Sequence, residues 1–133
     1  MDRPRILLVD DEAEFREMGR KLLARRGFDV VAVPDGTQGI QVAQQGETEV
    51  AIVDVKMPGL DGIATLRELK RLRQDLEVII LTGHLLKSTE QEGLRLGAFA
   101  YLTKPCTVAD LVQTIQSALA ARAARLAKET AGS

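Results

Sequence analysis

Four apolar runs of this chain end in polar residues whose types suit one chemistry. Asp10 and Asp11 follow Ile6-Leu7-Leu8-Val9, and Asp54 follows Val50-Ala51-Ile52-Val53. Thr82 follows Val78-Ile79-Ile80-Leu81, and Lys104 follows Phe99-Ala100-Tyr101-Leu102-Thr103. Three acids, a hydroxyl and a lysine are what a metal ion and a phosphoryl group need around them. Three packed carboxylates repel: two unit charges ~4 Å apart cost on the order of 4 kcal/mol at an effective dielectric near ~20. Such a cluster protonates, recruits a cation or neighbours a lysine. Hard oxygen ligands in small number favour Mg2+, which keeps waters and takes phosphate oxygens as co-ligands; Mn2+ is the substitute. Lys104 can neutralise a phosphoryl oxygen as a point charge, and Thr82 can donate to another. One aspartate can act as nucleophile and form an acyl phosphate. Position favours Asp54, because the turn after it contains Pro58-Gly59 and leaves its carboxylate open.

Those runs must be elements that deliver their C-terminal ends to one place. They are continuous Val/Ile/Leu stretches, as in parallel strands buried on both faces. A fifth run, Phe28 to Val33, ends in a plain turn, Pro34-Asp35-Gly36. Between the runs lies helical period. Phe15, Met18 and Leu22 form one stripe, with Gly27 placed to stop the helix. Thr37 to Gln45 reads as a shorter helix with Ile40, Val42 and Ala43 inward and Gly46 at its end. Ile63, Leu66, Leu69 and Leu72 mark a third, starting near Asp61. Ser88-Thr89-Glu90-Gln91 has capping-box spacing and opens a fourth, in which Gly93 costs roughly 1 kcal/mol relative to alanine. Thr107 caps a fifth, with Leu111, Ile115 and Leu119 on one face. This alternation predicts a doubly wound α/β domain with helices on both faces. Ligands of such sheets sit beyond the C-terminal strand ends, where the polar set lies. After Leu119 the apolar stripe fades into an Ala/Arg-rich tail with Leu126 left alone. That tail is expected to be a frayed, solvated helix end, or else a connector toward a further domain.

The 133 residues suit one domain with a sizeable core. A net charge of −1 gives no electrostatic case for a nucleic-acid or membrane surface, and 3% aromatic residues leave few rings for stacking bases. The single cysteine, Cys106, excludes an internal disulfide and a cysteine-based zinc cage; it is expected to be a small packing residue. Met1-Asp2-Arg3-Pro4-Arg5 leads into an apolar run too short for a signal peptide or a membrane span. The cytoplasm is therefore the expected location. No GxxxxGK[ST] or GxGxxG nucleotide motif is present.

Four pieces occur in register: Leu7-Leu8-Val9-Asp10-Asp11-Glu12, Asp54 through Gly62, Leu81-Thr82-Gly83, and Tyr101-Leu102-Thr103-Lys104-Pro105. On these the chain resembles the receiver domain of bacterial two-component response regulators, from about Arg5 to Leu119. The resemblance implies a flavodoxin-like five-stranded parallel sheet of order 2-1-3-4-5, an order carried over from the family. It implies a receiver over residues 1–120 and a helical extension or truncated linker over 121–133. Asp54 would take a phosphoryl group from a phosphohistidine on a sensor histidine kinase or a histidine phosphotransfer protein. Mg2+ would be held by Asp11, Asp54 and the backbone carbonyl of Lys56, with Asp10 acting through water and charge. Lys104, Thr82 and Gly83 would bind the phosphoryl group. Thr82 and Tyr101 would form the switch that alters the face of helix 4, strand 5 and helix 5. Lys56 and His84 would tune hydrolysis, and Lys104-Pro105 would be a cis peptide. Cys106 departs from the family, which often has a larger apolar residue there, commonly Phe. Leu85-Leu86 either caps the core or forms part of a partner surface. The downstream effector is not encoded in these motifs.

Three other readings are weaker. Haloacid-dehalogenase-like phosphohydrolases carry an Asp two residues after the nucleophile, where this chain has Lys56, and there is no cap-sized insertion. A flavodoxin-like cofactor carrier needs a Ser/Thr/Gly phosphate loop after strand 1, where Asp10-Asp11-Glu12 would repel phosphate. A receiver-shaped interaction domain that is never phosphorylated would be expected to lack part of the polar set, and none is missing.

Overall fold

Strand and helix alternate along the whole chain. The elements are β1 (Arg5–Val9), α1 (Ala13–Arg25), β2 (Asp29–Val33), α2 (Gly36–Gln44) and β3 (Val50–Val53), then α3 (Gly62–Leu72), β4 (Glu77–Thr82), α4 (Lys87–Arg95), β5 (Ala100–Thr103) and α5 (Val108–Ala131). The computed structural model describes residues 3–55, 61–83 and 87–131, without the side chains of 87–89 and 131. The Ser88 and Thr89 side chains of the capping box and the whole of Leu85-Leu86 therefore lie outside what the structure describes.

All pairings are parallel, in the order β2-β1-β3-β4-β5. Side-chain alternation along the strands builds two cores. Leu7, Val9, Ala51, Val53, Val78 and Ile80 pack with Leu66 and Leu69 of α3. Ile6, Leu8, Val50, Ile52, Ile79 and Leu81 pack with Leu23 of α1 and with Leu111, Val112 and Ile115 of α5. Burial on both faces explains why β1, β3 and β4 read as unbroken apolar runs. The edge strands β2 and β5 are only partly covered.

Turn chemistry follows the sequence. Gly27 and Gly46 adopt φ of 96° and 83° just beyond α1 and α2, the left-handed conformation that glycine takes without a Cβ penalty. Asp35 and Asp61 cap α2 and α3 by accepting from Gln38 N–H and Ala64 N–H at 2.8 Å each.

Two helices differ from expectation. Met18 of α1 is 63% exposed, and the inward positions are Phe15, Gly19 and Leu23. A Cβ on Gly19 would come within 3.1 Å of Leu8 Cδ2, a tight approach that a larger residue could make only if the Leu8 side chain gave way. The tail is not frayed: α5 is continuous to Ala131, with its apolar contacts ending at Leu119. Beyond them, Arg122 reaches Asp75 (2.8 Å) and Glu49 (3.5 Å), and Arg125 reaches Glu77 (2.7 Å). These acids lie at the N-terminal edge of the sheet, where Arg73 also pairs with Asp75 at 2.7 Å.

Burial would raise the Asp75 carboxyl, but hydrogen bonds from Arg73 and Arg122 outweigh it and hold it at about 2. A carboxyl depressed on folding adds stability above its ordinary pKa of 3.8, and that stability is lost as pH falls toward about 2. Urea midpoints recorded across that window should fall more steeply for the native chain than for Asp75→Asn. Parallel curves would show that the clasp contributes nothing.

Candidate functional site

The sheet ladder continues one residue past its strand ends and so fixes the polar set. Asp10 N–H donates to Val33 O at 3.1 Å, Asp54 N–H to Val9 O at 3.0 Å, and Lys104 N–H to Thr82 O at 2.8 Å. Asp10 and Asp54 thus stand at neighbouring strand ends, and Lys104 turns in from the edge. Its Nζ lies 2.7 Å from Asp10 Oδ2, 2.8 Å from Glu12 Oε1 and 3.3 Å from Asp54 Oδ2. The ring centroid of Phe15 is 4.1 Å from the same nitrogen, within cation–π range. Lys104-Pro105 is a cis peptide.

One ammonium serves three carboxylates. Burial pushes the Asp10 carboxyl above its usual range, against the hydrogen bonds from Lys104 and the Glu12 N–H, and the Asp54 charge adds to the rise. Burial alone would lower the Lys104 ammonium, but bonds to Asp10 and Glu12 and the surrounding charge hold it above its ordinary value. The bond to Lys104 pulls the exposed Glu12 carboxyl down.

Asp10, Glu12 and Asp54 each bring a carboxylate oxygen within 4.8 Å of the others. These are hard donors in small number, the chemistry that suits Mg2+. Asp11 is exposed and is not in that group. Thr82 is fully buried at the end of β4, and Gly83 after it is exposed. Tyr101 pairs with Ile80 in the ladder and packs, half-buried, on the α3-side core. Burial, with the Glu90 and Asp54 charges, pushes its phenol up. Lys56 and His84 lie outside the described residues. Cys106 packs half-buried among the α5-side residues, as expected of a small packing residue.

Three residues at the site carried no assigned role from sequence. Glu12 stood in the acidic run beside two aspartates that already accounted for it. Phe15 was absorbed into the α1 stripe. Gly62 is fitted against the backbone that follows Asp54: a Cβ there would lie 2.2 Å from Asp54 O and 2.4 Å from Val55 Cα. Its N–H donates to Val55 O at 2.9 Å.

The family model for the response regulator receiver domain matches residues 6–116. The chain belongs to that family. Among curated relatives of this receiver, the uncharacterized transcriptional regulatory protein YkoG of Bacillus subtilis is 33% identical over 90% of the chain and 52% of its own length. The response regulator MprA of Mycobacterium leprae is 34% identical over 86% of the chain and 50% of its own length. The chain spans about half the length of these relatives. A receiver domain structure from Clostridium thermocellum superposes with a TM-score of 0.85 at 35% identity, covering 90% of this chain and 96% of that one. A CheY-like receiver from Methanospirillum hungatei gives 0.90 at 26% identity, covering 93% and 99%. The family and these neighbours bear out the fold expected of the receiver: a parallel sheet of order 2-1-3-4-5 flanked by helices. No helix among the described residues is long and apolar enough to cross a membrane.

Proposed function

We propose that this receiver accepts a phosphoryl group on Asp54 in a Mg2+-dependent reaction. The donor is a phosphohistidine of a sensor histidine kinase or a histidine phosphotransfer protein. The observation that carries the reading is the Lys104 ammonium held 3.3 Å from the Asp54 carboxylate, itself almost fully buried at the end of β3. An Asp54 oxygen attacks phosphorus, the phosphorus–nitrogen bond breaks, and the imidazole nitrogen keeps the electron pair and takes up a proton. Lys104 holds a phosphoryl oxygen, and Thr82 and Gly83 donate to another. Asp11, Asp54 and the Lys56 carbonyl would hold Mg2+, with Asp10 behind them through water; the ion supplies charge neutralisation for the transferring group. Mn2+ would serve in its place.

The output is a population shift, set by contacts that the phosphoryl group makes in one state and not the other. Thr82 and Tyr101 form the switch, and the face built from α4, β5 and α5 is the surface it alters. Lys56 and His84 tune how fast the group is lost to water. The chain catalyses only its own phosphorylation and slow dephosphorylation. It works in the cytoplasm, and neither nucleic acid nor membrane is its own ligand. Residues 1–120 form the receiver unit, and 121–133 are a helical extension or a truncated linker toward an effector.

Incubated with Mg2+ and acetyl phosphate, the protein should gain the mass of one phosphoryl group. Asp54→Asn should gain none. Rapid multiple turnover of the phosphodonor without a modified protein would favour a phosphohydrolase instead.

A further inference from the structure

We propose that Glu12 is a positioning residue for Lys104: it occupies the ammonium until a phosphoryl oxygen on Asp54 displaces it. The proposal rests on Asp54 as the phosphoryl acceptor. An ammonium has three donors, and the three at Lys104 are matched by Asp10, Glu12 and Asp54. No donor remains for an arriving oxygen, so one bond must be given up.

Burial decides which. The Asp10 side chain is 2% exposed, and stripping its partner would leave a buried charge uncompensated. Asp54 is the reacting group, and its 3.3 Å contact keeps one donor of Lys104 engaged while the incoming oxygen arrives. Glu12 is 63% exposed and regains water at little cost. Phe15 covers one side of the ammonium, with its ring centroid 4.1 Å away. One anion then replaces another on Lys104, and the cation is paired before and after transfer.

Glu12 also adds a negative charge at the mouth that a dianionic donor must meet. Its side chain makes no capping bond to α1, so a neutral amide there spares the helix start.

The two effects of Glu12→Gln oppose each other, which a merely structural role would not produce. At saturating Mg2+, intact-mass time courses should show faster phosphorylation by acetyl phosphate, by several fold. Monoanionic phosphoramidate should show a smaller gain. Calorimetry on the unphosphorylated protein should show weaker Mg2+ binding, by about tenfold, for one unit charge removed ~6 Å from a dication in solvent-like dielectric. Unchanged or slower phosphorylation of Glu12→Gln, with the native chain still labelled at Asp54, would overturn the exchange role and leave the phosphoryl-acceptor reading intact. A native chain that takes no phosphoryl group would overturn both.

Discussion

Gly62→Ala is expected to lower folding stability by about 3 kcal/mol, while the same change at Gly93 raises it. At position 62 the added Cβ meets backbone, 2.2 Å from Asp54 O and 2.4 Å from Val55 Cα. No rotamer change relieves such a clash, so either the start of α3 or the segment bearing Asp54 must move, an overpacking cost of about 3 kcal/mol. The bond from Gly62 N–H to Val55 O is strained by the same movement. Gly93 offers the contrast. Its Cβ would sit 3.6 Å from Ile63 Cδ1, 3.8 Å from Tyr101 Cδ2 and 3.9 Å from Ile80 Cγ1, all ordinary contacts. There alanine gains roughly 1 kcal/mol of helix propensity in α4. Urea denaturation of both variants checks the pair. Equal midpoints would show that the approach of α3 to the Asp54 segment is not tight. Phosphoryl uptake by Gly62→Ala should slow as well, because the displaced carbonyl belongs to the nucleophile itself.

Lys104→Ala should cost about 2–3 kcal/mol at neutral pH, because it leaves the carboxylates of Asp10, Glu12 and Asp54 without their shared cation. The sign with pH follows from Asp10. Burial raises its carboxyl in the folded state, so its ionised form opposes folding above that raised value, and the opposition fades on acidification. Removing Lys104 raises that carboxyl further, so the variant's deficit is largest at neutral pH and shrinks as Asp10 protonates. Millimolar Mg2+ should shrink it too, since the variant's uncompensated carboxylates bind the ion more tightly than the native site does, and at saturation each tenfold in affinity adds about 1.4 kcal/mol to the folded state. Thermal melts at two pH values, with and without Mg2+, read all of this. A deficit independent of both would mean that Lys104 acts by packing alone.

The sheet was legible because burial on both faces writes itself as unbroken Val/Ile/Leu runs. The strand-end residues were legible because a parallel sheet sends every C-terminal strand end to one edge. Gly27 and Gly46 marked helix ends through the positive φ they supply. What escaped depends on approach distances or on long-range partners. Met18 lay on the apolar stripe, yet Gly19 sets how closely α1 meets β1 and turns the stripe toward Leu23. Arg122 and Arg125 looked like solvated tail residues, because their partners Asp75 and Glu77 lie some 47 residues earlier in the chain and no periodicity links them. Glu12 is separated from Lys104 by 92 positions. Its acidity was visible, but its pairing with Lys104 was not.

Asp54 as phosphoryl acceptor is tested most directly by trapping. After incubation with Mg2+ and acetyl phosphate, borohydride reduces an aspartyl phosphate to homoserine, and peptide mass spectrometry locates the altered residue. Homoserine at position 54, and at neither Asp10 nor Asp11, is the expected result. Conversion at another acid, or none at position 54 in a protein whose intact mass shows the phosphoryl group, would contradict it.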